Sequence, residues 1–574
     1  MRKLMKWMIS ACLCLAMLVS VLSVTAFAAE GSASNDAEAV LSKLLKSSVY
    51  VEKNKKAGLR GEVNVALDLP NAGGVVYLPG SANAKKLRLA WDAKDVTFSR
   101  NGKTYKSGKA PIAPAGKTYK YKVSKGGLSA ILKVKTVQGS SDVDAMFLEI
   151  DESKGSILAM QLDSDHETSC YGKMKVGDHK KKYVSIKGRG SSTWLMPKKP
   201  YNMTVYDDET YTSKDKTELI DGVKVKKWTL LANYFDNALM RNKIAYDLAD
   251  QLGIGLKSKF VDLWMNGTYL GSYLLTPKKD TGCSDDGFII ENDHQLPDGE
   301  EDETFDFPNI HTMPLKHNYL IVDDIGDNAK AAGVNTKTIE KWFTKAWDAV
   351  LDKDSEAYQK YFDLDSWAKM YLMFEVSKTY DCYAGNILMH RDGMGKNDKL
   401  YAGPAWDYDI AFGRTLHKFL VGVREPVQLN AEGWYNDSIG YYATGDEPVA
   451  ILQELGKHPS FMRNVAKVYN EYKWAFEGID ANIVKQEKLL RQSAYMNNAL
   501  FGTNSLSAEY VVAPNTMEAL GTGKYKLNYE VTLTWDNYIH NLREYCQKRV
   551  MWLSDHLAPG VDITTDHGGT VSTK

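Results

Sequence analysis

Short, mostly alternating runs of apolar and polar residues set the first pattern along the chain. They fall at residues 63–67, 75–78, 87–89, 119–123 and 130–134, with Gly, Pro, Asn and Ser between them. That period and spacing predict a small antiparallel β-sandwich of immunoglobulin-like type over residues 59–139. Residues 29–58 read as a flexible lead with a short helix at 37–46, and Gly139-Ser140-Ser141-Asp142 as a linker. Longer apolar strands follow at 145–150, 183–186, 201–206 and 228–231. Two more, 260–265 and 270–275, flank Asn266-Gly267, the strongest short hairpin signal. Apolar residues at helical spacing come next. Leu239, Ile244, Leu248 and Leu252 predict a helix capped by Asp236 or Asn237 and stopped by Gly253. Further helices are expected at 337–351, 364–378, 448–455, 460–477, 479–496 and 535–557. Strands followed by helices predict an α+β domain over 144–557, ahead of a disordered tail at 558–574.

The N-terminus changes the setting. Arg2, Lys3 and Lys6 precede an apolar run at 8–24 and the small-x-small Ala26-Phe27-Ala28, which predicts a secretory signal at 1–28. The rival is an uncleaved anchor; either way the body is expected outside the cytoplasm, secreted or at a cell surface, with no second span in the sequence. Lys+Arg 72 balances Asp+Glu 72, which argues against nucleic acid or an anionic membrane as partner. Cys170, Cys283, Cys382 and Cys546 remain after the signal, without a Cys-x-x-Cys, so no zinc framework is expected. Isolated thiols are the default and one long-range disulfide the alternative.

Candidate chemistry concentrates at 377–414. Asp381, then Asn386, then a β-hairpin, then Trp406-Asp407-Tyr408-Asp409 follow the order used in phosphoryl transfer. There one Asp takes the hydroxyl proton while an Asn and a later Asp hold Mg²⁺. His390-Arg391-Asp392 with Asn397 spells the protein-kinase catalytic string, but its Gly393–Asp398 tail is turn chemistry at a hairpin tip. Asp381 is therefore preferred to Asp392 as the base, because catalytic geometry needs rigid support. Upstream, Gly188, Gly190, Ser191 and Ser192 form a glycine turn able to lay N–H groups on phosphate oxygens; a plain glycine-rich hairpin is the alternative. Lys198 and Lys199 open the next strand on opposite faces, and Lys199 is preferred to neutralise phosphates. Without further information, a hairpin with ordinary turn residues would also account for these positions.

Three stretches, at 187–208, 230–252 and 405–414, resemble in order the motifs of the CotH family, the spore-coat-protein-H-like atypical secreted protein kinases. The similarity runs from about 145 to 557. It implies a two-lobed kinase-like domain using ATP and Mg²⁺ (or Mn²⁺) on Ser/Thr acceptors of surface proteins. It assigns Asp381 to the base role, and Asn386, Asp407 and the competing Asp409 to the metal. It assigns Gly188, Gly190, Ser191, Ser192 and Lys198 or Lys199 to the nucleotide, with 276–279 touching adenine. The helix bearing Arg241 and Asn242 lacks the Glu that pairs with the phosphate lysine in larger kinases, so what orients that lysine is left open. Arg241 is expected on a structural carboxylate rather than a phosphate, and the acidic 299–306 as a solvated loop or a meeting point for a basic peptide. The alternative function is an inactive kinase fold whose N-terminal β-domain binds a surface protein or glycan. Glycoside hydrolysis by Asp407 and Asp409 is disfavoured, because carboxylates on one short segment cannot flank a bond.

Overall fold

The computed structural model describes residues 33–45, 49–293, 303–306, 319–379, 386–415, 429–436, 451–502, 508–509, 534–561 and 563. The expected signal at 1–28, Asp381, Cys382, residues 299–302 of the acidic stretch and most of the tail lie outside them. The chain divides into two compact units, Met1–Leu78 with Ala82–Val137 and Pro79–Ser81 with Gln138–Lys574.

In the first unit nine strands form one hydrogen-bonded array. Val63–Asp68, Gly73–Leu78, Arg88–Trp91, Thr118–Lys125 and Leu128–Gln138 are the five expected from alternation. Each turns one set of residues inward, among them Val63, Val65, Leu89, Tyr121, Val123, Leu132 and Val134. Val49–Val51 departs from the expected flexible lead: it pairs with Val63–Asp68 on one side and Arg88–Trp91 on the other. A hairpin, Thr97–Arg100 with Lys103–Tyr105, turns on Asn101-Gly102, whose φ values of 51° and 75° suit that dipeptide. The helix of this unit spans Ala33–Leu44.

The second unit is mixed α and β. Seven strands close a barrel: β1 (Asp144–Ile150), β2 (Ser169–Val176), β3 (Lys182–Gly188), β4 (Tyr201–Tyr206), β5 (Lys227–Leu231), β6 (Lys259–Met265) and β7 (Thr268–Pro277). Their order is β1-β2-β3-β4-β5-β7-β6, closed by a parallel β1–β6 pair. Inward-facing Met146, Leu148, Val184, Ile186, Met203, Trp228, Leu263 and Leu275 fill the interior, leaving a packed core. A second sheet has the order β9-β10-β8-β11-β12, with β8 (Phe288–Asp293), β9 (Thr304–Asp306), β10 (Tyr319–Ile325), β11 (Ile387–Arg391) and β12 (Tyr401–Ala402). The longer helices are α1 (Arg241–Leu252), α2 (Thr336–Leu351), α3 (Leu364–Ser377), α4 (Pro459–Glu471), α5 (Ile479–Phe501) and α6 (Trp535–His556). Together with β8–β12 they bury one large apolar core. Among the described residues, no helix is long and apolar enough to cross a membrane.

The start of β8 lies flat against the end of β11. A Cβ built on Gly287 would run into the Arg391 carbonyl oxygen, a backbone atom that cannot swing away. Gly287→Ala is expected to cost about 1–3 kcal/mol by overpacking, read as a lower midpoint in denaturant with an unchanged slope.

Candidate active site

Between β3 and β4 the chain makes its glycine turn. Gly190 has φ +81°, a region L-residues avoid, and a Cβ there would sit 2.6 Å from the Thr193 hydroxyl. The turn runs into a single helical turn, Ser192–Leu195, pinned by the Trp194 indole N–H donating to the Asp163 carbonyl at 2.9 Å. Lys199 donates to the Trp194 carbonyl and stands over its ring, 4.5 Å from the centroid. Its amine thus braces the turn from behind. Lys198 is 2 % exposed and donates to the Ser272 carbonyl, and burial pulls its pKa down to about 7. The strand begins only at Tyr201, so neither lysine opens it as expected; the two amines nonetheless point apart, and both are held by backbone carbonyls.

Opposite the turn lies the 406–412 segment, fastened by α1. The Asn242 side chain accepts the Tyr408 N–H at 2.6 Å, and the Arg241 Nε donates to the Ala411 carbonyl at 2.8 Å. Tyr246 stacks on Trp406 with centroids 5.9 Å apart, and its hydroxyl accepts the Asp407 N–H at 3.4 Å. Phe412 N–H donates to the Ser377 carbonyl at the end of α3, 2.6 Å away. Arg241 pairs with Asp236 at 2.5 Å, both fully buried, so its partner is a structural carboxylate. Asp236 also accepts the backbone N–H groups of Ala238 and Arg241, and α1 begins at Arg241, later than an Asp236 or Asn237 cap would place it. The turn that carries Leu239 at φ 62° comes between them.

Asp407 and Phe412 are left-handed, at φ 58° and 49°, and so is Asn386, at 63°. Non-glycine residues held there cost about 1–3 kcal/mol each and cluster at functional sites. Burial pushes the Asp407 carboxyl above its ordinary range, against the pull of Arg189, a hydrogen bond with Asp409, and Lys279. Asp409 is 7 % exposed. Arg189, from the glycine turn itself, stands over Trp406 at 5.6 Å. Asn386 precedes β11; extending the pairing of Asn292 with Ile387 by one residue sets it opposite Asp293, whose charge also reaches Asp407.

Arg189, Asp409, Lys279 and Asp293 are thus the charged groups that bear most on Asp407, with Asn386 opposite Asp293 by register. Neither Lys198 nor Lys199 is among them. Lys279 was singled out in the sequence only as part of a connection. Its amine binds Glu291 of β8 and lies 3.3 Å from Asp323 of β10. Lys278, beside it, pairs with Asp280 at 2.6 Å and fixes the connection after β7, of which Thr276 and Pro277 are the last strand residues.

His390-Arg391-Asp392 lies at the end of β11 and the start of a turn. Arg391 donates to the carbonyls of Gly395 and Asp398 and packs on Trp342, 4.1 Å from the centroid, which shapes the 391–398 turn. The Asp392 side chain is 62 % exposed. Cys170, Cys283 and Cys546 are free thiols.

No three His, Cys, Asp or Glu side chains among the described residues converge as a ready metal cage. The donor set here, two carboxylates and an amide, is nonetheless what Mg²⁺ accepts, since that ion usually takes one or two carboxylates and completes its shell with water and phosphate.

The family described as CotH kinase protein matches residues 184–553, well over half of the chain. The chain is also similar to the inner spore coat protein H of Bacillus subtilis (strain 168), with 23 % identity over 256 residues, 42 % of this chain. The match spans 62 % of that relative, less than two thirds of its length. Both the glycine turn and the 406–412 segment fall inside the family match.

Proposed function

We propose, from the premise that the chain belongs to the CotH kinase protein family, that it transfers the γ-phosphate of ATP to Ser or Thr side chains of spore-coat or other surface proteins outside the cytoplasm. The observation that carries this reading is the Asp407–Asp409 carboxylate pair on a segment fastened by α1, with Asp407 in left-handed backbone and the Arg189 of a glycine turn over the adjoining Trp406. When bound, Mg-ATP supplies the phosphoryl group, and its metal offsets the charge that develops on the phosphate oxygens. Asp407, Asp409 and Asn386 offer oxygen atoms to that metal. The N–H groups of Gly188–Ser192 and the Arg189 guanidinium draw the phosphates toward them, because donors fixed before reaction need no reorganisation during it. Asp381, on the segment after α3, is assigned to take the acceptor's hydroxyl proton. The described residues before it, Lys378 and Thr379, are anchored by the Tyr435 hydroxyl donating to the Thr379 carbonyl and by Lys378 donating to the Asn430 and Glu432 carbonyls at 2.9 and 2.6 Å.

The test is incubation of the purified chain with γ-labelled ATP, Mg²⁺ and extracted surface proteins. Label on Ser or Thr, lost with a chelator, is expected. No label and no Mg-ATP shift in thermal unfolding would replace the reading by a binding protein that uses its N-terminal β unit.

Asp392 supplies an internal control. Asp392→Asn is expected to leave transfer unchanged and stability within about 0.5 kcal/mol, since an exposed side chain away from the site contributes little. A large loss of transfer would move the base to the hairpin.

A further inference from the structure

We propose that Lys279, aimed by Glu291 and Asp323, is the lysine that contacts the nucleotide phosphates, with the orienting carboxylates supplied by neighbouring strands of a sheet. The inference rests on the kinase reading above and names the residue that reading left unassigned.

Four observations carry it. The Glu291 that binds the Lys279 amine lies two residues from Asp293 on the same face of β8, and Asp293 is opposite Asn386 by register, so the amine stands beside the edge that carries Asn386. Its amine is bound by Glu291, whose side chain is 4 % exposed, while Lys279 itself keeps 20 %. Asp323 is placed by a β-bulge. Ile290 pairs with Val322 and Ile289 with Asp324, so Asp323 is the extra residue, and bulges re-aim side chains beside functional sites. Its buried Oδ2 lies 3.3 Å from the amine yet takes no hydrogen bond. An ammonium group has three donors, and one goes to Glu291. Asp323 lies within reach of a second, which leaves the third to meet a phosphate oxygen without breaking the pairs that orient the amine.

Charge balance points the same way. Lys279 and Arg189 face Glu291, Asp293, Asp323, Asp407 and Asp409, an excess of carboxylate that repels a nucleotide unless a divalent cation comes with it. Burial alone would strip the Lys279 proton, but the surrounding carboxylates outweigh it and keep the amine charged. At Lys198 burial outweighs the pull of Asp262 and Asp236: its amine sits on the Ser272 carbonyl between the Tyr273 and Phe501 rings, 4.9 and 5.9 Å from their centroids.

The experiment measures binding of Mg-ATP and of adenosine, by calorimetry on the full chain, together with transfer. Lys279→Met is expected to weaken Mg-ATP binding about a hundredfold and leave adenosine binding unchanged, as loss of one preorganised charged contact should. Lys199→Met is expected to lose much less. Glu291→Gln is expected to weaken Mg-ATP binding in the parent chain and to add nothing in the Lys279→Met background, as a residue acting through Lys279 must. Should Lys279→Met unfold because it strands the Glu291 charge, the Lys279→Met/Glu291→Gln pair removes both charges and is read instead. Mg-ATP binding as tight as the parent's in a folded Lys279 variant overturns the assignment, and so does an equal loss of adenosine binding. A parent chain that binds no Mg-ATP at all sinks the kinase reading itself.

Discussion

Asp407→Asn is expected to lower phosphoryl transfer on the order of 10³-fold or more while the protein unfolds at the same temperature or higher. The two halves of that outcome have one cause. Asp407 is held where burial disfavours its charge, in a left-handed backbone that Asn adopts as readily as Asp. Removing the charge therefore removes a cost of folding, along with the oxygen that would bind Mg²⁺. The pH dependence has a definite sign. Because the folded carboxyl titrates higher than the unfolded one, its folded state is favoured most below the unfolded pKa. That advantage is lost as pH rises through the higher folded value. In chelator, the parent should lose stability over that window relative to Asp407→Asn, with the two curves meeting at low pH. Asp409→Asn, measured beside it, decides which carboxylate is the main ligand: the larger loss of transfer at equal stability identifies it. Transfer by Asp407→Asn within about threefold of the parent would remove this residue from the metal site, since loss of a metal-binding carboxylate should cost far more.

Much of the frame could be read from the chain before any coordinates. Six of the seven barrel strands are legible as apolar runs or by alternation, as Tyr201–Tyr206 is with every second residue inward. Ser169–Val176 is not, although its burial alternates strictly, because its inward positions include Cys170 and Gly172 and its outward ones two lysines and a tyrosine, a weak apolar signal. Asn266-Gly267 announced its hairpin, and both residues are left-handed as that turn requires. The equally plain Asn101-Gly102 pair predicts no hairpin by alternation, because Thr97–Arg100 and Lys103–Tyr105 are short and largely polar. Val49–Val51 was hidden for a related reason: three residues are too few to show a period. The expected helix at 460–477 is interrupted at Tyr472, where α4 ends and a shorter helix, Lys473–Glu477, begins. Period alone cannot register such a break, since the apolar stripe continues across it.

In the site, local signals and spatial ones parted company. The glycine turn and Trp406-Asp407-Tyr408-Asp409 each carry their own mark in sequence. Lys279 carries none, being one of a lysine pair after a strand. What distinguishes it is the approach of β8 and a bulge in β10, pairings made across stretches of chain that spacing does not connect. At His390-Arg391-Asp392 the string looks catalytic while its glycine-rich tail predicts a turn, and a turn is what the 391–398 stretch forms. Arg391 proves to be the residue that ties that turn together.

Arg241→Met is expected to destabilise the second unit by about 3–5 kcal/mol, the range for breaking one side of a buried ion pair. Both members of the pair are fully buried, so Met leaves the Asp236 carboxylate without its counterion. The backbone N–H groups of Ala238 and Arg241 still hold that carboxylate, at 2.9 and 2.7 Å, which keeps the loss near the lower end. The same guanidinium donates to the Ala411 carbonyl, so the variant also frees the segment two residues beyond Asp409. Two consequences can be separated. Asp236→Asn added to Arg241→Met should recover part of the stability, because the stranded charge is gone. It should recover little transfer, because nothing then holds the Ala411 carbonyl. Denaturant midpoints and transfer rates on the single and double variants test both halves. Full recovery of transfer with stability would mean that Arg241 acts only as a counterion and that the clamp on the 406–412 segment lies elsewhere, in Asn242 on the Tyr408 N–H.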